Sequence, residues 1–174
     1  MNQRSLANDD FWQRLVAEFA DGQSGPTPAR EEFFRSGTNR VAIVRRGLRA
    51  PDGNSRATAI SLLQKMKMDE KKQLYPELMQ LARAAHGPVG TVREIILTLP
   101  PTWLKSCLKK EVEAILREEQ YDDYWMMLEL YQRLDPMAAR KLAHRAADSP
   151  IAEIRELAAD FLTRLPAPPP RARR

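Results

Sequence analysis

The 174-residue chain has one cysteine, Cys107, and two histidines, His86 and His144. A single thiol cannot close an intramolecular disulfide, and it lacks the paired spacing of zinc ribbons and thioredoxin-type sites. No acidic or sulfur residue stands at ligand spacing around both histidines, so no metal site is expected. Each histidine falls near the end of a helical segment, where an imidazole commonly complements the helix dipole. Cys107, inside "WLKSCLKK", is expected to pack as a small hydrophobe rather than to act as a nucleophile. A phosphate-cradling glycine loop, a Ser-His-Asp order and an HExxH helix are also missing. That leaves no catalytic residue to name, no cofactor to assign and no small-molecule substrate to identify. Nowhere do 18 apolar residues follow one another, so no membrane-spanning helix is expected. Asp9, Asp10, Glu18 and Asp21 crowd the opening stretch, with no apolar run behind a basic start. This is unlike a signal peptide, and the cytoplasm is the expected location.

What the chain does contain is ordinary globular material, with 43% apolar and 29% charged residues. Its length can bury a core without staples. A formal charge of +5 permits an acidic partner or a nucleic acid and demands neither.

Four segments superimpose on one another. "RATAISLLQKM" from Arg56, "REIILTL" from Arg93, "YWMMLELYQRL" from Tyr124 and "RELAADFLTRL" from Arg155 start about 37, 31 and 31 residues apart. Each carries apolar residues at helical steps and is followed by a break. Asp69, Pro101 and the Asp135-Pro136 pair suit the start of a second helix, because a side-chain cap or a first-turn proline matches unsatisfied amides. "HGPVG" (86–90), "EEQYDD" (118–123) and "DSP" (148–150) then separate one helix pair from the next. The chain reads as units at 54–88, 89–119 and 120–148, with a partial unit at 149–165. "VREIILTL" (92–99) and "DSPIAEIRELAADFL" (148–162) resemble HEAT repeats, the latter in the short bacterial form of phycobilin-lyase-type repeats. The resemblance covers roughly 54–165. It implies an all-α, right-handed solenoid of helix pairs whose second helices line a concave face. Tyr124 departs from the family pattern, which favours arginine there.

The ends differ from the repeats. "NDDFWQRLVAEFA" (8–20) is an amphipathic helix that Asp9 or Asp10 can cap, and "DGQSGPTP" (21–28) is a loop. One or two further helices should follow, interrupted near Gly37 and weakened or ended at Gly47. Residues 1–53 therefore read as a divergent helical cap over the apolar seam of the repeats. "PAPPPRARR" (166–174) cannot continue a helix and is expected to be a flexible tail. Its "PAPPPR" also satisfies the P-x-x-P-x-R pattern that aromatic-lined grooves recognise.

Two clusters carry the functional expectations. Basic doublets at Lys71-Lys72, Lys109-Lys110 and Arg140-Lys141 follow Arg56, Arg93 and Tyr124 at steps of 15, 16 and 16, so they track the repeat. Lys65, Lys67, Lys105 and Arg145 widen them into a basic ridge. Counted from Pro101 and Pro136, Lys105 rather than Lys109 is the partner of Arg140. Such a ridge suits a protein with an acidic surface, making the chain a non-catalytic adaptor, or alternatively nucleic acid phosphates. Otherwise it is a solvated face. The second cluster is Tyr121, Tyr124 and Trp125 beside Asp122 and Asp123. Helical spacing sets Tyr124, Met127, Leu128 and Tyr131 on one face and turns Trp125 toward another. Core packing, with Asp122 or Asp123 as cap, explains the cluster. In residue type it also resembles the groove of a HEAT-like DNA glycosylase family, which would make it a recognition site for a flipped nucleotide.

Overall fold

The computed structural model describes residues 3–22, 27–35, 39–84 and 87–166. Among these the protein is all helical, with no strand. In order run α1 (Gln3–Ala20), α2 (Pro28–Arg35), α3 (Arg40–Leu48), α4 (Gly53–Lys65), α5 (Met68–Gln73), α6 (Tyr75–Ala82), α7 (Val89–Leu97) and α8 (Pro101–Ile115). A 3-10 turn (Leu116–Glu118), α9 (Tyr121–Leu134), α10 (Pro136–Ala147) and α11 (Ala152–Arg164) complete it. No helix among the described residues is long and apolar enough to cross a membrane. The chain divides into two compact units, residues 1–81 with 86–95 and residues 82–85 with 96–174.

In the first unit α1 packs on α2 and α4, and α3 packs on α4 and α5. The helix α1 begins well before Asp9 and Asp10, which lie within it and do not cap it. Glu18 near its end instead caps the next helix, accepting the Ala29 N–H at 3.2 Å and the Thr27 hydroxyl. Gly47 does not break α3. It lets the Trp12 indole lie against the helix, since a Cβ there would stand 2.9 Å from the Ala59 Cβ and closer still to Trp12 Cη2. Asp52 caps α4 by accepting the Ser55 N–H at 2.7 Å, and this bond holds its carboxyl below the usual range. Asp69 is not the start of the next helix. The Glu70 carboxylate reaches back to the Lys67 N–H at 2.9 Å, so α5 starts earlier and Asp69 sits in its first turn. The helix then breaks at Leu74, because Pro76 has no N–H for the carbonyl of Lys72.

In the second unit α10 packs between α9 and α11, which also touch each other. Ala139, Ala143 and Ala146 are fully buried on one face of α10, and their small side chains allow that close approach. Pro101 opens α8 and Asp135 caps α10, accepting the Ala138 N–H at 3.1 Å ahead of Pro136, as the sequence leads one to expect. The start of α9 differs. Gln120 occupies its N-cap position without a side-chain cap, and both Asp122 and Asp123 lie in the first turn.

Candidate functional site

Pro101 opens α8 and Asp135 caps α10, and two exposed ion pairs then link these helices. Lys105 Nζ stands 3.4 Å from Asp135 Oδ2 at their beginnings, and Arg145 Nη1 contacts Glu113 at 2.8 and 2.9 Å toward their ends. The two helices therefore run in the same direction. The Ala138 N–H and then Lys105 hold the Asp135 carboxyl below its usual range, while the Glu113 hydrogen bond pushes Arg145 up. Between these pairs Lys109 lies one turn from both Lys105 and Glu113, and Lys141 lies one turn before Arg145. Lys109, Lys110 and Lys141 are exposed and carry no hydrogen bond or ion pair among the described residues. Three cations are thus presented on the α8 and α10 surface with no ion pair among the described residues.

Other members of the expected ridge serve the fold. Lys71 is buried, 7% exposed, with Nζ donating to the Gln64 carbonyl at 3.2 Å, where it ties α5 to the end of α4. Arg140 is half-buried and donates from Nη2 to the carbonyls of Leu165 and Pro166 at 2.9 and 2.7 Å. It thereby satisfies orphan groups at the C-terminus of α11. Lys72 pairs with Asp69 at 3.3 Å within α5. Placing Lys71 and Arg140 on an open ridge is therefore corrected by burial: each reaches a backbone carbonyl inside its own unit.

The aromatic cluster separates in the same way. Tyr124 is 1% exposed and belongs to the core with Met127, Leu128 and Tyr131. Tyr121 and Trp125 face outward, 38% and 41% exposed, as an edge-to-face pair with ring centroids 5.8 Å apart. Asp123 is 2% exposed, and its two oxygens accept from Arg83 Nε and Nη2 at 2.6 and 2.8 Å. This fork holds Arg83 firmly protonated. Asp123 therefore anchors the residues after α6 instead of facing a cleft beside Trp125. Arg83 escaped the sequence reading because its partner lies 40 residues away.

His144 is exposed in the last turn of α10, and Cys107 is half-buried, its thiol pushed up by burial and by Glu111. His86 and residues 167–174 of the proline- and arginine-rich segment lie outside the described residues. No group of three His, Cys, Asp or Glu side chains that could hold a metal occurs among the described residues. The first unit has a groove of about 660 Å³ against α1 and α3, lined by Trp12, Arg45, Arg46, Arg49 and Pro51 among others. Its arginines are committed: Arg45 and Arg49 to the buried Glu77, Arg46 to Asp9. No family model, curated protein or solved structure matches the chain.

Proposed function

We propose that this protein is a non-catalytic interaction module of HEAT-like helix pairs, whose α8 and α10 face binds an acidic segment of a partner protein. The observation that carries this reading is the exposure of Lys109, Lys110 and Lys141, which carry no ion pair among the described residues and lie between two exposed ion pairs that link α8 to α10. Cations on helices steer an oppositely charged partner and lose little backbone entropy when it docks. The solenoid reading is supported by the shared direction of α8 and α10 and by the packing of α9, α10 and α11 on one another. The proposed HEAT-like stack is right-handed, with residues 1–53 as its divergent helical cap.

The test is affinity capture from a native lysate at near-physiological salt, with and without nuclease, using the natural chain and the variant K109E/K110E/K141E. We expect one protein retained at comparable stoichiometry after nuclease treatment, and lost by a variant whose melting temperature is unchanged. Retention that nuclease abolishes would make the ligand a nucleic acid, with binding falling steeply with salt. Either that outcome or retention indifferent to the three reversals overturns the proposal.

A further inference from the structure

The second unit carries another concavity, of opposite sign. A groove of about 460 Å³ runs between the start of α9 and the outer side of α11, lined by Tyr121, Ile151, Glu153, Glu156, Leu157 and Asp160. Its floor is apolar and its rim is acidic. Glu153 and Glu156 are exposed and carry no hydrogen bond or ion pair among the described residues. Asp160 pairs with Arg164 one turn along α11, which leaves the two glutamates as the uncompensated charge. The nearest cation on the same helix, Arg155, is turned away: Nη1 donates to the Ser149 and Pro150 carbonyls at 2.9 and 2.8 Å. Tyr121, which lines the groove, stands in its edge-to-face pair with Trp125, and both rings are exposed.

We infer that this groove is a second docking site, which takes an extended proline- and arginine-bearing segment of a partner protein. Charge complementarity selects the sign: two unpaired carboxylates over an apolar floor attract guanidinium groups, which donate paired N–H bonds to carboxylate oxygens. The groove suits an extended form. Its wall runs about 10 Å along α11 from Glu153 to Asp160 at the helical rise, room for three to four residues of polyproline II, with the two unpaired glutamates at its start. Proline rings pack on exposed Tyr and Trp rings, and a segment already in polyproline II loses little further freedom on binding. The module then holds two partners of opposite charge on separate faces of one unit, as an adaptor requires.

The probe is a fluorescein-labelled nine-residue peptide alternating prolines and arginines, titrated by anisotropy into the full chain. Its counterpart with glutamate for arginine serves as control. Saturable binding of the arginine peptide alone is expected, weakened at least tenfold by E153Q/E156Q and again by Y121A. K109E/K110E/K141E should leave it unchanged, which separates this site from the α8 and α10 face. Two results overturn the inference: no saturable binding up to a millimolar, or binding indifferent to E153Q/E156Q. A third does so as well. If converting Arg171, Arg173 and Arg174 to glutamine strengthens binding tenfold or more, the occupant is the chain's own proline- and arginine-rich segment, in cis or from a second copy.

Discussion

At the scale of single residues, burial decides what a charge does. Arg83 and Asp123 form one forked pair, yet they are not equivalent, since the arginine side chain is 41% exposed and the aspartate 3%. Asp123→Ala lets Arg83 turn to water and should cost about 1–2 kcal/mol. Arg83→Ala strands a carboxylate in the core and should cost about 3 kcal/mol, the lower end for a broken buried pair. Urea unfolding midpoints check the order, and equal losses would show that the pair is not anchored as described. Gly47 follows packing instead of charge. Alanine is the better helix former by about 1 kcal/mol, but its Cβ would collide with the Trp12 ring and Ala59. Overpacking of this kind costs about 1–3 kcal/mol, so Gly47→Ala should lower the melting temperature rather than raise it.

Elements are legible in sequence to the extent that their signals are local. Pro101 and Asp135-Pro136 mark helix starts because a missing N–H and a capping carboxylate act within one turn. Asp69, Asp122 and Asp123 carry the same chemistry but do not cap. Glu70 reaches back past Asp69, and Asp123 is drawn inward by an arginine that no local rule can supply. The cap at Asp135 makes a prediction with a definite sign. Its carboxyl is held below the usual value in the folded chain, so its contribution is present above roughly pH 4, the ordinary carboxylate range, and is lost as pH falls through the lower folded value. Asp135→Asn keeps a capping oxygen but cannot titrate or pair with Lys105. The stability gap between the natural chain and this variant should therefore narrow as pH falls below about 4, read by thermal melts across pH. A gap that widened would reverse the assignment.

For the molecule as a whole, the helical character was legible from periodicity, while the exposed surface was legible only in part. Repeat spacing located the basic doublets, but it could not tell that Lys71 and Arg140 spend their charge on backbone carbonyls while Lys109, Lys110 and Lys141 stay open. Nor could it find the acidic groove, whose walls come from residues about thirty apart in sequence. In each case the direction of a side chain depends on which helix lies beside it. The central claim is that the open lysines of α8 and α10 are the contact surface. Lysine acylation footprinting of the captured complex tests it most directly, comparing the reactivity of each lysine with and without the partner. Protection of Lys109, Lys110 and Lys141, with Lys65 and Lys67 reacting as in the free chain, is the predicted result. Full reactivity of those three in a complex that protects lysines elsewhere would contradict it.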